Sequence, residues 1–380
     1  MTDAGSIGTK HEAGMQTHAF GLPPERLGIS ASPELLARRE AMAAAVSAGT
    51  WRTNPDPREM SLGGVRVLRF QPPGAKRGRV LHFHGGGFRI GCPEMIGPFA
   101  TELASRCGVE VTCAAYRLAP EHPFPAGLAD AHAVMVALME EDDSALILSG
   151  DSAGGGLAAA LTALIAAALQ PRGLVLLSPW LDLTVTSECY QANAATDPMF
   201  SLEAAREAAD LYLQGMSPRN PLASPAFASV AAFPLTQIII GAEEVLADDG
   251  RRFHRALCAA GVAANLREIA GMQHVAVTRS LALPGAAEAF EAVVTFIASL
   301  LQGPDEPAMS QFENSASLEA RMETRASLLE KAERCFRLSR AIDAPDVISK
   351  LLELARLYEA QTQNIETSSA ACKTTDKNSN

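Results

Sequence analysis

The sequence predicts an α/β protein with a mostly parallel central sheet flanked by helices. Three observations carry that prediction. Short, largely apolar runs such as Leu174–Leu177 and Gln237–Ile240 recur along the chain, and strands without a polar face belong in sheets covered on both sides. Segments of helical length separate these runs, the alternation expected of parallel strands joined by crossover helices. Gly150-Asp151-Ser152-Ala153-Gly154 lies between one such run and one such helix, a strand–turn–helix junction with its own chemistry.

Taken in order, residues 1–30 read as a loose polar arm. Ser32-Pro33-Glu34 then supplies an N-cap, a proline at the first helical position and an early acid, opening a helix that runs to about Gly49. Strands follow at Val65–Phe70 and Arg79–Phe83, joined by the turn-forming Pro72-Pro73-Gly74. A helix at 96–107 precedes the strand Val109–Ala115. A helix at 126–141 precedes Ala145–Leu148, and one at 155–169 precedes Leu174–Leu177. After Gln237–Ile240 comes a helix at 248–260, and after Ala264–Ile269 a last one at 285–301. The stretch 184–233, rich in Ala, Pro and Asn with one helix around Leu202–Leu213, breaks the rhythm. It is expected to lie over the carboxyl ends of the strands, where open α/β sheets bind ligands.

Beyond Gly303-Pro304 the pattern changes. A linker at 304–317 leads to two amphipathic helices, Leu318–Ile342 and Val347–Ala360, around a break at Asp343-Ala344-Pro345. The expected organisation is thus an arm and helix at 1–55, and a main α/β domain at 56–303 with its insertion at 184–233. The linker, a helical hairpin at 318–362 and a disordered tail at 363–380 complete it. Helices this short need a partner surface, so the hairpin could dock on the domain, join a second copy into a homo-oligomer or bind another protein. No internal repeat is visible.

Composition narrows the function classes. Of 380 residues, 48% are hydrophobic and 20% charged, an ordinary globular balance that excludes a largely disordered chain. Aromatics make up only 5%, which argues against stacking platforms for single-stranded nucleic acid. The net charge of −11, without a basic patch, argues against nucleic acid altogether. The seven cysteines are scattered, odd in number and without metal-ligand spacing, as expected of reduced thiols. No apolar leader is visible in residues 1–30. The longest apolar run, Leu157–Leu169, is too short to span a bilayer.

The chemistry begins at Ser152. A serine at the apex of a tight strand-to-helix turn presents its hydroxyl to the cleft, with the helix N-terminus facing any developing oxyanion. His84-Gly85-Gly86-Gly87-Phe88 follows an earlier strand. Three glycines let backbone amides approach a carbonyl oxygen closely, the other half of an oxyanion hole. No G-x-x-x-x-G-K-[ST] pattern is present, so a phosphate loop is disfavoured. A serine hydroxyl needs a base. Among eight histidines, His274 follows the last strand and fits the chain order serine, acid, histidine. His82 and His84 read as packed or structural. The acid should lie in the segment Gly241–Asp249. Asp248 and Asp249 are explained by helix capping, which leaves Glu243 or Glu244, and spacing does not choose between them.

Together, His84–Gly87, the run Tyr116–Ala126 (YRLAPEHPFPA), Gly150–Gly155 and Ser178–Leu183 (SPWLDL) resemble the hormone-sensitive-lipase-like esterases of the α/β-hydrolase fold. The resemblance covers residues 30–301. Asn193–Met199 and Pro221–Pro225 resemble the bacterial branch that includes monoterpene ε-lactone hydrolases. The resemblance implies a serine carboxylic-ester hydrolase with Ser152 as nucleophile, His274 as base and Glu244 as acid, three positions after Gly241, with Asp248 as the weaker alternative. It implies oxyanion donors in Gly85, Gly86, Gly87 and Ala153, chiefly Gly86, Gly87 and Ala153. It implies a cap made from the N-terminal helix and the insertion, no metal or organic cofactor, and small ester or lactone substrates. Phe88, Ile90 and Met199 are assigned to the substrate pocket, although core or cap packing explains them equally well. Asp151, Asp182 and Tyr116–Ala126 are expected to fix loops. The resemblance is to a bacterial branch, and the scattered thiols are those expected of a cytoplasmic protein. Amide or peptide hydrolysis shares the triad; a ligand receptor shares the fold but lacks the histidine, which is present here.

Overall fold

The computed structural model describes residues 21–165, 171–301 and Arg356. The chain divides into two compact units, Met1–Glu306 and Pro307–Asn380. The expected linker, hairpin and tail lie outside the described residues, as do the first twenty residues of the arm.

The elements run α1 (Pro33–Ser47), β1 (Arg58–Leu62), β2 (Val65–Phe70), β3 (Gly78–Phe83), α2 (Gly97–Cys107), β4 (Val109–Ala114) and α3 (Ala126–Glu141). Then come β5 (Leu146–Asp151), α4 (Ala153–Ile165), β6 (Gly173–Leu177), α5 (Cys189–Ala192) and α6 (Leu202–Leu213). The domain closes with β7 (Thr236–Gly241), α7 (Ala247–Ala259), β8 (Ala264–Ile269), α8 (Ala276–Arg279) and α9 (Ala286–Leu301).

Among the described residues, eight strands form one sheet in the order β1-β2-β4-β3-β5-β6-β7-β8. The six strands from β4 to β8 in that order are parallel, while β1 with β2 and β2 with β4 are antiparallel. The expected mostly parallel sheet is thus present, with an antiparallel pair added at one end. β1 was not legible in the sequence: Arg-Glu-Met-Ser-Leu is a polar edge strand with only Leu62 buried, and it lacks the apolar run that marks the others.

The interior strands are buried on both faces because their side chains alternate between two cores. On β5, Leu146 and Leu148 join one core and Ile147 the other; on β6, Leu174 and Leu176 face one way, Val175 and Leu177 the opposite way. Helices α3, α4 and α7 cover the first face with Leu128, Leu161 and Phe253. Helices α2 and α9 cover the second with Phe99, Leu103, Phe290 and Ile297. One charged side chain inside this frame has a clear task. Arg79 on β3 is only 1% exposed, and its guanidinium donates to the Leu138 and Asp142 carbonyls at the end of α3. It satisfies carbonyls that a helix end leaves without partners.

Two pieces lie outside the sheet and its helical layers, as expected. Helix α1 starts at Ser32, whose hydroxyl accepts the Leu35 amide, with Pro33 at the first position. Within the insertion, α6 starts at Ser201, which accepts the Ala204 amide. The buried face of α6 is narrow and made of small residues, Ala205, Ala208 and Ala209, with Tyr212 and Leu213. Its remaining face is polar. No helix among the described residues is long and apolar enough to cross a membrane.

Leu148 lies on the central strand β5 and is fully buried. Leu148→Ala should cost about 2–5 kcal/mol through lost burial and the cavity it leaves. In urea unfolding this would lower the midpoint and leave the slope unchanged.

Candidate active site

The carboxyl ends of β3, β5, β7 and β8 converge on one small region, and each delivers one part of it. After β5 the chain turns at Ser152, whose φ of +53° lies in the left-handed region, a strained conformation for a non-glycine residue. The turn is held from both sides: the Ser152 amide donates to the Leu177 carbonyl, and the Ser152 carbonyl accepts the Trp180 amide. Helix α4 then starts at Ala153. A Cβ on Gly154 would lie 2.0 Å from the Phe83 carbonyl oxygen, so only glycine lets α4 pack this tightly on β3.

The Ser152 hydroxyl lies 2.9 Å from His274 Nε2, and His274 Nδ1 lies 2.9 Å from Glu244 Oε2. Glu244 Oε1 accepts the Gly241 amide at 3.2 Å. All three side chains are buried, at 7%, 5% and 1% exposure. The structure therefore joins Ser152, His274 and Glu244 in one hydrogen-bonded chain across three loops.

The other acids in the segment have different tasks. Glu243 is exposed and accepts the Gly271 amide at 2.9 Å, which steadies the loop that carries His274. Asp248 pairs with Arg252 at 2.9 Å. Asp249 accepts the Leu181 and Asp182 amides; burial pushes its pKa up to about 7 against the pull of those donors and of Arg252. Among the described residues, Glu244 is thus the one of the four that hydrogen-bonds His274.

The loop after β3 supplies the opposite wall. Gly86 has φ +118°, and a Cβ there would lie 2.0 Å from the Ile90 carbonyl oxygen; a side chain would strain the turn and collide with its own loop. The Gly85 amide donates to Asp151 Oδ1 at 3.1 Å, so it is already engaged and cannot also hold an oxyanion. The amides of Gly86 and Gly87 meet no acceptor among the described residues. Ala153 opens α4, where amide groups and the helix dipole favour negative charge.

His82 and His84 hold this wall in place. His82 lies between Ser149 Oγ and Asp151 Oδ1, at 3.0 and 3.1 Å. His84 stacks on Tyr116 with ring centres 4.5 Å apart. Its Nδ1 lies 2.8 Å from the Gly85 carbonyl, and burial holds its pKa below the ordinary value. Asp151 thereby ties the glycine loop to the serine turn, the loop-fixing task read from the sequence.

Cap elements press on the glycine loop from outside the sheet. Arg39 of α1 donates to the Arg89 carbonyl at 2.8 Å and pairs with Glu121 at 2.7 Å. Arg89 pairs with Glu207 of α6 at 2.6 Å. Of the three expected pocket residues, Phe88 is buried and stacks on Tyr212 with ring centres 3.9 Å apart. Ile90 is half-buried, and Met199 is 46% exposed on the insertion. Phe200, which the sequence did not single out, lies nearly parallel to the His274 ring with centres 6.2 Å apart. A lone aromatic in a polar insertion gives no periodic signal that could have revealed it.

Burial pulls the His274 pKa down, but the hydrogen bond and charge of Glu244, with Asp197 and Asp151 behind them, outweigh it. The imidazole is held above its ordinary value of 6.5. A hydroxyl bonded to a buried imidazole, itself bonded to a carboxylate, can lose its proton to the ring as it attacks an electrophile.

Residues 80–278 match the family described as alpha/beta hydrolase fold. An esterase of Acinetobacter venetianus is 34% identical over 248 residues, covering 64% of this chain and 82% of its own. An acetyl-hydrolase of Streptomyces hygroscopicus is 36% identical over 230 residues, covering 59% and 77%. Among solved structures, an esterase from the bacterial hormone-sensitive lipase family superposes with a TM-score of 0.63 at 32% identity, covering 72% of this chain and 100% of its own.

The raised His274 pKa has a consequence for the pH profile. Catalysis of this type needs a neutral imidazole. Because the folded pKa is raised, the ring stays protonated to higher pH, and activity should fall as pH drops through a value above 6.5. The acidic limb of kcat/KM, measured from pH 5 to 9, checks this.

Proposed function

In a chain that belongs to the alpha/beta hydrolase fold family, and is a hormone-sensitive-lipase-like carboxylesterase, we propose that Ser152 is the nucleophile, His274 the base and Glu244 the acid. The observation that carries this reading is the continuous hydrogen-bonded chain from the Ser152 hydroxyl through His274 to Glu244, with both links at 2.9 Å.

Ser152 Oγ attacks the ester carbonyl carbon and His274 Nε2 takes the hydroxyl proton. The carbonyl oxygen becomes an oxyanion, held by the amides of Gly86, Gly87 and Ala153. His274 then gives its proton to the departing alkoxide, and the alcohol leaves an acyl-enzyme on Ser152. Water, deprotonated by the same imidazole, attacks the acyl carbon, and the acid and free serine are released. Glu244 keeps the ring in the tautomer with hydrogen on Nδ1 and stabilises the imidazolium formed in each half. No step calls for a metal or organic cofactor.

The substrates are esters of short to medium acyl chains, with medium-ring lactones as a further class. The acetyl-hydrolase among the relatives supports the short end of that range. The aromatic rings crowded beside the glycine loop, Phe88 on Tyr212 and Trp180 against Phe200, also favour small acyl groups. The lactone class rests on the resemblance of Asn193–Met199 and Pro221–Pro225.

The test is turnover of p-nitrophenyl esters of increasing acyl length and of ε-caprolactone. Ser152→Ala and His274→Ala should each lower kcat by at least about a thousandfold, the scale of losing one member of such a triad, while circular dichroism stays native. Near-wild-type turnover in either variant would overturn the assignment. Turnover that does not fall with acyl length would remove the short-chain preference.

A further inference from the structure

The insertion does more than cover the site. Three of its side chains reach back across 47 to 51 residues of sequence to the backbone of the loop that carries Glu244. Asn193 Nδ2 donates to the Glu244 carbonyl at 2.8 Å, and Thr196 Oγ1 donates to the Glu243 carbonyl at 2.9 Å. Asp197 Oδ2 accepts the Val245 amide at 3.0 Å. Three consecutive residues, 243 to 245, are thus each held by a different side chain of one short segment. The other oxygen of Asp197 accepts the Met199 amide at 2.9 Å, which fixes the turn that leads to Phe200 beside the His274 ring.

We propose that residues 193–200 are a positioning element for the catalytic acid and base, with Asp197 as its principal residue. The inference rests on the reading of Glu244 and His274 given above. Its physical basis is the reach of the acid. Glutamate carries one more rotatable bond than aspartate, so its aim depends more heavily on where its backbone is held. Inside the loop, the Glu244 carboxylate is steadied only by the Gly241 amide, besides His274 itself. The carbonyl of Glu244 and the next amide are held from the insertion instead.

Asp197 also acts through its charge. It is 7% exposed, so water screens it weakly. A cavity of about 220 Å³ lies along this seam, lined by Asp197, Glu243, Glu244, Met272 and His274 among others. The charged groups facing the imidazole are Glu244 from the loop after β7, Asp197 from the insertion and Asp151 from the serine turn. Exposed Glu243 lines the same cavity. All four are carboxylates, and Glu244, Asp197 and Asp151 favour the protonated ring. Removing one of these three lowers the pKa of His274.

The experiment compares wild type with Asp197→Asn, Thr196→Val and Ser152→Ala on one p-nitrophenyl ester, with the folded fraction taken from circular dichroism. Asp197→Asn should lower kcat per folded molecule about tenfold, as displaced catalytic groups do, with KM within about twofold. The acidic limb of its kcat/KM profile should move to lower pH. Thr196→Val removes one clamp and no charge; it should lower kcat about twofold to threefold with the limb at its wild-type position. An Asp197→Asn enzyme with wild-type kcat or an unmoved limb overturns the proposal, because a merely structural aspartate would change only the yield of folded protein. If Asp197→Asn does not fold, the Asn193→Ala/Thr196→Val double variant decides, since wild-type kcat in it overturns the proposal. Ser152→Ala separates the two readings. If it is inactive while Asp197→Asn behaves as wild type, only the positioning inference fails; if it too is active, the triad assignment fails.

Discussion

The contact between Glu244 and His274 is the constraint around which the domain is arranged. A carboxylate at 1% exposure is costly to keep ionised unless it is paired and hydrogen-bonded. Here the imidazole takes one oxygen and the Gly241 amide the other. The two partners sit on loops after neighbouring strands, β7 and β8, which pair in parallel from Thr236 with Ala264 to Gly241 with Ile269. A parallel ladder brings both carboxyl ends to the same edge, so two loops 30 residues apart in sequence meet there. Ser152 reaches the same edge by the same logic from β5, two strands away across β6.

That convergence demands close packing, and the glycines mark where it is closest. Helix α4 lies on β3 with no room for a side chain at Gly154, so Ala153 and the glycine loop are brought together. Asp151 then performs a task the helix cannot. Its single oxygen Oδ1 meets both the Gly85 amide and His82 Nε2, fastening the loop after β3 to the turn after β5. The spacing between the Ser152 hydroxyl and the glycine loop is therefore set by side chains beneath the site. Preorganised donors stabilise developing charge effectively because they need no reorganisation as it forms.

Much of this was legible in the sequence, and the reasons differ by element. The interior strands showed themselves because burial on both faces removes polar residues. The serine turn and the glycine loop did so because backbone crowding leaves few residue types able to occupy them. β1 was illegible because an edge strand carries polar side chains and no apolar signature. Glu243 and Glu244 looked equivalent by spacing because they are adjacent; successive side chains point different ways, the first to the Gly271 amide and the second inward to His274. The commitment of the Gly85 amide to Asp151 was hidden for a related reason. Three successive glycines are interchangeable on paper, and only the partner across the sheet distinguishes them.

The cap is the part whose chemistry sequence reading undervalues most. An insertion rich in Ala, Pro and Asn suggests a cover, and covers are usually discussed as gates. Yet three of its polar side chains, Asn193, Thr196 and Asp197, bond backbone groups of the acid loop. Asn193 and Thr196 donate to carbonyls of the acid loop, while Arg39 from α1 and Glu207 from α6 hold the glycine loop through Arg89. One piece of the cap steadies the loop that carries Glu244 and the other pieces steady the glycine loop. A side chain that holds backbone groups of a distant loop leaves no periodicity and no motif of its own, because its partner can be any residue type. Its signal exists only in three dimensions. The sheet brings Ser152, Glu244 and His274 to one edge, and cap side chains hold the acid loop and the glycine loop there.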